Sequence, residues 1–217
     1  EADVEGHDAC RKIAILTSLI SGQHVDFEKI HTEGITKITT EDMKYAKKLN
    51  MAIKLLASSK RVGDTFSVLV APMLLSEEHP LCNVNDVFNA VFVRGNMLGD
   101  AMFYGSGAGK LPTASAVVAD VVDAAKHLHR NVVTRWDAGE LELIPNAEAE
   151  HRFFVRVQGR SETQKEQIRE AFGSIEIVET ERLEDEFGFI TEVMTEGTYS
   201  KKAEAFPEII HMIRLAD

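Results

Sequence analysis

Apolar residues at helical spacing mark the first predicted element. After the polar run DVEGHD they recur at every third or fourth position as far as Gly22, a residue type that commonly ends helices. The positions are Ala9, Ile13, Leu16 and Ile20. This pattern predicts a helix over residues 6–21.

A second helix and a group of strands follow. The helix is predicted over residues 40–49, and Thr40 is expected to cap it. Its inward side chains are predicted to be Met43 and Ala46. Four segments rich in β-branched and aromatic residues come next, separated by turn residues, and they predict a sheet of about four strands. These segments are MAIKLLASSKR, DTFSVLVAPMLL, VFNAVFVRG and LGDAMFYG.

The segment PTASAVVADVVDAAKHL predicts a third helix, with Pro112 in its first turn. Its apolar face is predicted at Ala114, Val117, Val121 and Ala124. Periodicity is then lost between Val133 and Glu150, which predicts a connector.

The last part of the chain has its own order of elements. It predicts strand RFFVRVQG, helix SETQKEQIREAFG, strand IEIVETER, strand EFGFITEVMT, helix TYSKKAEAFPEI and strand HMIRLAD. This βαββαβ order is that of a ferredoxin-like module. The chain is therefore predicted to be α+β, with a mixed sheet and helices on one face in domain 1–147 and a ferredoxin-like domain in 148–217.

Composition narrows the classes of function. The chain has 217 residues, of which 44% are hydrophobic and 27% charged, as in an ordinary globular protein. Its net charge of -11 disfavours nucleic acid and acidic membrane surfaces as partners. No apolar run approaches the roughly 20 residues of a membrane span. The two cysteines form no disulfide framework and no metal-ligand spacing, which fits a cytoplasmic protein.

The stretch DVEGHDACRK has two interpretations. Asp8 and Lys12 are four residues apart, so on a helix they share one face, with the acid in the first turn. They could form only a surface ion pair. Alternatively, Lys12 transfers a proton beside Asp8, while Asp3 and Glu5 hold a substrate ammonium group. Spacing alone does not choose between the two.

Alternating glycines in FYGSGAGKLPTAS predict a turn between a strand and a helix, in which backbone can approach a ligand closely. The run fits neither the phosphate-loop pattern nor the dinucleotide fingerprint. It is therefore either a tight connection or one part of a larger cofactor site.

In this order, DVEGHDACRKIAIL, GITKIT, IKLLA, HPLCNVNDVFNAV and GDAMFYGSGAGKLPTASAVVADVV resemble the catalytic part of homoserine dehydrogenase, over about Asp3 to Asp123. The remainder resembles an ACT domain, a βαββαβ regulatory module. The resemblance implies NAD- or NADP-dependent interconversion of L-homoserine and L-aspartate 4-semialdehyde, on the route to threonine and methionine, by a homodimer.

The resemblance also implies roles for individual residues. Lys12 matches the proton-transfer lysine, and Asp8 matches the acid that orients it. Asp3 matches a substrate-binding acid, and Glu5 is family-like with a less defined role. Gly107, Ala108 and Gly109 match the turn beside the nicotinamide. A lysine whose pKa is lowered by burial could accept the proton that leaves the substrate hydroxyl.

Two departures from the family limit these expectations. No strand followed by GxGxxG and a ribose-binding acid is present, so we expect the chain to be the C-terminal part of a longer enzyme, inactive alone. The loop QGRSET keeps Gly159 but lacks the proline common in effector-binding ACT modules, so threonine regulation rests on module type alone. The alternative function is a non-catalytic amino-acid sensor with a degenerate dimerisation domain.

Overall fold

The computed structural model describes residues 2–130, 133, 136–180 and 183–216. By the density of internal contacts the chain divides into two compact units. The first combines Glu1–Ser76 with Trp136–Asp217, and the second is Glu77–Arg135. The division predicted at 147/148 concerns family modules and stays a prediction, because the first compact unit extends across that position.

Helix α1, His7–Ser21, confirms the first prediction. Gly6 and Gly22 flank it, with φ angles of 79° and 74° that favour glycine. The amide of Gly22 donates to the carbonyl of Ser18, which satisfies one of the last free carbonyls of the helix. The buried face of α1 packs on strands of the first unit through Cys10, Ile13, Ala14 and Thr17.

Helix α2, Thr40–Lys48, is confirmed, but its cap and buried face differ from the prediction. Thr39 is the N-cap, and it forms a capping box with Asp42. Met43 was expected to face inward and is 58% exposed. Ala46 is buried as predicted, together with Tyr45 and Asp42, and Asp42 faces inward because its carboxylate binds the ionic partners described below.

The main sheet of the first unit has seven strands. Its strands are β1 (His31–Thr32), β2 (Met51–Val62), β3 (Thr65–Ser76), β7 (Phe153–Gln158), β8 (Ile175–Val178), β9 (Glu186–Thr191) and β11 (Ile209–Leu215). β2 pairs antiparallel with β3 along its whole length. β1 and β11 both pair parallel with β3, so the sheet is mixed, as predicted.

Strands β4 (Phe88–Gly95) and β5 (Gly99–Ser106) pair with each other in a separate hairpin of the second unit. The prediction of one sheet from the four consecutive segments is therefore wrong. One edge of β3 is taken by β2, and the other is shared by β1 and β11. The sequence pattern predicted that the strands following β3 in the chain would join the same sheet. The free edge of β3 is instead occupied by β1 and β11, which are distant from each other in sequence.

Helix α3, Lys110–Lys126, completes the second unit and confirms the third predicted helix. None of its residues is buried, in contrast to the predicted packing of Ala114, Val117, Val121 and Ala124. The apolar face is present in the sequence, and the described residues of the chain do not cover it.

The tail confirms the predicted βαββαβ order, with β7, α4 (Glu162–Phe172), β8, β9, α5 (Glu196–Ala203) and β11. Its four strands lie in the order β11-β7-β9-β8, and every neighbouring pair is antiparallel. The predicted strand IEIVETER is shorter than expected, and its residues 181–182 lie outside the described part of the chain. The short strands β6 (Glu150–His151) and β10 (Met194–Thr195) pair with each other.

The segment predicted as a connector packs along the first unit. The amide of Leu141 donates to the carbonyl of His24 at 2.7 Å, and that of Ile144 donates to Phe66 at 2.9 Å. Leu141 is buried beside α1. Residues 134 and 135 of this predicted connector, and residues 131 and 132 just before it, lie outside the described chain.

A buried ionic cluster joins α2 to the tail. Arg156 of β7 donates to Asp42 at 2.8 Å and to both carboxylate oxygens of Glu186 on β9. His211 Nδ1 lies 3.0 Å from the second oxygen of Asp42. Burial alone would raise the pKa of Asp42, but hydrogen bonds from His211, the Thr39 amide and Arg156 outweigh it and hold the pKa well below its usual range.

This depressed pKa predicts an acid-sensitive contribution to stability. The unfolded state binds the proton more readily, so the contribution is present above about pH 4 and is lost as the pH falls towards the folded-state pKa. We expect Asp42→Asn to lower the free energy of unfolding by about 3 kcal/mol at pH 7, because Arg156 loses a buried partner. The difference from the parent should narrow below about pH 4.

Urea unfolding of both proteins between pH 7 and pH 3 measures this difference. Asp64→Asn is the control, because Asp64 forms an exposed ion pair with Arg61 at 3.6 Å, and its effect should stay within about 0.5 kcal/mol. A difference between parent and Asp42→Asn that does not change with pH would contradict the assignment.

Candidate active site

The first turn of α1 brings the predicted acid and lysine together. Lys12 Nζ lies 2.6 Å from Asp8 Oδ2, the distance of a charge-assisted hydrogen bond. Asp8 is in the first turn, where the helix macrodipole favours a negative charge. Both side chains are accessible, with Lys12 64% exposed and Asp8 46% exposed. The sequence analysis assumed that the proton-transferring lysine is buried, and the described residues do not bury Lys12.

A tight turn before α1 carries the two other predicted acids. Asp3 is exposed and Glu5 is half-buried. The amide of Gly6 donates to the carbonyl of Asp3, and the amide of Asp8 donates to that of Ala2. These bonds fold residues 2–6 back onto the start of the helix, so that all four predicted site residues of the first unit belong to one turn and the helix that follows.

Two glycines allow this turn to pack closely against the rest of the first unit. A Cβ at Gly6 would come within 3.1 Å of Val70 and 3.2 Å of Thr32, and its φ of 79° is unfavourable for other residues. A Cβ at Gly34 would come within 2.5 Å of the Val4 carbonyl oxygen and 2.6 Å of Glu5 Cα. The turn therefore rests directly on the backbone that follows β1.

A second buried arginine, missed in the sequence analysis, lies next to the backbone that follows β1. Arg214 of β11 donates to both carboxylate oxygens of Glu33, at 3.0 and 2.8 Å, and also binds both oxygens of Glu196 on α5. His31 Nε2 lies 2.6 Å from Glu33 Oε1. The available signal was an arginine inside the apolar strand HMIRL, a position that requires acidic partners when it is buried.

The charge of Glu33 is fixed by these neighbours. Partial burial raises the pKa of Glu33, but hydrogen bonds from His31 and Arg214 outweigh it and lower the pKa to about 2. Glu33 is therefore ionised throughout the neutral range and remains a partner for Arg214.

The predicted cofactor turn lies in the second unit, between β5 and α3. Gly107 donates its amide to the carbonyl of Val87, and a Cβ at Gly107 would lie 2.0 Å from Asn89 Nδ2. Gly109 has a φ of 126° and precedes α3 directly. The strand–turn–helix prediction for Gly107, Ala108 and Gly109 is confirmed, and the side chain of Asn89 packs against Gly107.

The side chain of Asn89 covers Gly107, whereas a Cβ at Gly109 would meet only Pro112, at 3.4 Å. At Gly109 the turn fits a contact with one end of a nicotinamide cofactor, because glycine tolerates close approach. It does not form a complete dinucleotide site, since no GxGxxG run follows a strand in this sequence. Among the described residues, no group of three or more histidine, cysteine or acidic side chains could hold a metal ion. Within the same residues, no helix has the length and apolarity to cross a bilayer.

The described fold and site define an α+β protein with an acid–lysine pair at the start of a helix. The family model described as homoserine dehydrogenase matches residues 1–122. This match covers more than half of the chain, and the chain belongs to the homoserine dehydrogenase family.

Relatives and solved structures agree with this assignment. A homoserine dehydrogenase of Neisseria gonorrhoeae is 38% identical over 168 residues, which are 74% of this chain and 39% of the relative. That of Synechocystis is 47% identical over 160 residues, which are 72% of this chain and 36% of the relative. The crystal structure of the Thiobacillus denitrificans enzyme matches all of this chain and 54% of its own, with a TM-score of 0.87 and 30% identity. The chain thus spans well under two thirds of these proteins.

Proposed function

We propose that this chain forms the substrate-binding part of a cytoplasmic homoserine dehydrogenase, which interconverts L-homoserine and L-aspartate 4-semialdehyde with NAD or NADP. The observation that carries the proposal is the 2.6 Å pair of Lys12 and Asp8 directly after the acidic turn of Asp3 and Glu5. Family membership supports it, because the matched region contains all four residues.

The chemistry requires a proton to move at the substrate oxygen. In the direction of reduction, the Lys12 ammonium group donates its proton to the carbonyl oxygen of the semialdehyde. In the direction of oxidation, the neutral amine accepts the proton of the homoserine hydroxyl. Asp8 holds Lys12 Nζ in place through the 2.6 Å contact. Asp3 and Glu5 supply carboxylates for the substrate ammonium group.

The nicotinamide cofactor, when bound, exchanges a hydride with the substrate carbon that bears the oxygen. Gly107, Ala108 and Gly109 would lie against its nicotinamide end, as the family resemblance implies. Since Lys12 is exposed in this chain, bound substrate and the remaining parts of the enzyme would exclude water from it.

Substitution of Lys12 tests this assignment in an enzyme of full family length that carries the chain. We expect Lys12→Ala to lower the turnover number of homoserine-dependent NADP reduction by about 10²- to 10⁴-fold, the usual effect of removing an acid–base group. Lys44→Ala is the matched control, because Lys44 forms a 3.6 Å surface pair with Glu41 on α2, and it should leave turnover unchanged. An unchanged rate in Lys12→Ala would reduce the pair to a surface ion pair.

We also propose that the enzyme is a homodimer, with the second unit contributing to the interface. Val117, Val118, Val121 and Val122 of α3 are between 46% and 63% exposed, and such a patch is typical of an interaction surface. The family resemblance supplies the partner, a second copy of the chain.

A charge on this face should weaken the dimer. We expect Val121→Asp to produce monomers at micromolar concentration in sedimentation velocity, because an unpaired carboxylate in an interface is strongly unfavourable. Ala119→Asp introduces the same charge about 160° around the helix from Val121, so it should leave the dimer intact. Equal behaviour of the two variants would argue against this interface.

We further propose that residues 148–217 form an ACT regulatory module downstream of the catalytic domain 1–147. The βαββαβ topology supports this, together with an open pocket at the β7–α4 loop. The pocket is lined by Gln158, Gly159, Arg160, Ser161 and Gln164, among others.

The effector proposed for this pocket is an amino acid, with L-threonine as the first candidate. Calorimetric titration of the enzyme with L-threonine should give saturable heat at millimolar concentration, and D-threonine should give none. Absence of heat with L-threonine would remove this effector, and it would leave the proposed catalytic activity unaffected.

A further inference from the structure

We propose that Arg214 is a positioning residue for the substrate-binding turn, acting through Glu33 on the backbone of Val4–Gly6. The inference rests on the proposed function, because it assigns Arg214 a task at that same site. It connects the last strand of the tail to the residues expected to hold homoserine.

The arrangement begins at one edge of β3. Thr32 of β1 is opposite Val70, and Arg214 of β11 is opposite Met73 on the same edge. β1 and β11 therefore follow one another along β3, and the chain leaving β1 passes directly by the end of β11. The amide of Glu33 continues the β1 pairing by donating to the Val70 carbonyl at 2.8 Å.

Arg214 fixes the side chain of Glu33, the residue that directly follows β1. The Arg214 side chain is 3% exposed, and its guanidinium group lies between two carboxylates, those of Glu196 and Glu33. It binds both oxygens of Glu33, and such two-point contacts restrict orientation more than a single ion pair does. A buried arginine of this kind cannot release either carboxylate without a large desolvation cost.

The backbone at Glu33 transmits this restraint to the site. A Cβ at Gly6 would come within 3.4 Å of the Glu33 carbonyl oxygen, and Gly34 has no space even for a methyl group against Val4 and Glu5. The amide of Ile35 donates to the Val4 carbonyl at 2.9 Å. A displacement of residues 33–35 would therefore move the turn that carries Asp3 and Glu5, since no gap separates the two segments.

The other buried arginine provides an internal comparison. Arg156 is 4% exposed, also sits on a strand of the tail, and also binds two carboxylates, Asp42 and Glu186. Its partners are Asp42 on α2, Thr39 at the start of α2 and Glu186 on β9, and no hydrogen bond found among the described residues joins them to residues 2–6. The two arginines thus share burial and chemistry, and they differ in whether their partners support the turn.

The test uses the enzyme of full family length and measures turnover, the two KM values and the melting temperature. We expect Arg214→Gln and Glu33→Gln each to raise the KM for L-homoserine about tenfold, the equivalent of one weakened charge-assisted contact. The KM for NADP should change by less than about twofold. Because the two residues act as a unit, the double variant should be no worse than the poorer single variant.

Two further variants separate positioning from stability. Arg156→Gln should lower the melting temperature as Arg214→Gln does, while its KM for L-homoserine stays at the parent value. Arg214→Lys keeps the charge but loses the two-point geometry, so its KM should fall between those of the parent and Arg214→Gln. If Arg214→Gln does not fold, Glu33→Gln decides, because it preserves the side-chain shape.

An unchanged KM for L-homoserine in Glu33→Gln, or equal KM shifts in Arg214→Gln and Arg156→Gln, would overturn the inference while leaving the enzyme active. A parent enzyme without homoserine-dependent NADP reduction would instead overturn the proposed function, and the inference with it.

Discussion

Strand β3 is the constraint on which the first unit depends. Along one edge it pairs with β2 for twelve residues, and along the other it accepts two short parallel partners in succession. Its middle residues are buried on both faces, and Val70, Ala71 and Leu74 have no exposed surface. Because the residues after β1 pack against the acidic turn and β11 ends the tail, this one strand brings the candidate site and the βαββαβ tail to the same edge.

Sequence patterns predicted the elements whose determinants are local. Helix α1 has apolar spacing and a glycine at each end, and the structure places its ends within a residue of the prediction. Asp8 and Lys12 were found together because four residues on a helix bring side chains onto one face. The tail was predicted element by element for the same reason, since each of its strands and helices carries its own periodicity.

The features that the sequence analysis missed or predicted wrongly depend on contacts between distant residues. Glu33 and Arg214 are 181 positions apart, and no local pattern joins them. Met43 was predicted to face inward from apolar spacing alone, whereas the carboxylate of Asp42 is the group that is buried, because Arg156 and His211 bind it. Helix α3 differs from both cases. Its sequence pattern predicted the helix and an apolar face, but no other described residue buries the valines of that face.

The succession of β1 and β11 along β3 also bears on whether the βαββαβ tail could be removed without changing the rest of the first unit. A tail joined to residues 1–76 only through a flexible linker could be removed without changing the candidate site. Here β11 supplies both a strand and a counter-charge. A chain that ended before β11 would expose the edge of β3 at Met73 and Leu74, and an exposed strand edge favours non-native strand pairing. It would also leave Glu33 without Arg214 as its partner. Loss of the tail would therefore alter residues 33–35 and the acidic turn packed on them, because the tail and the N-terminal residues belong to one compact unit.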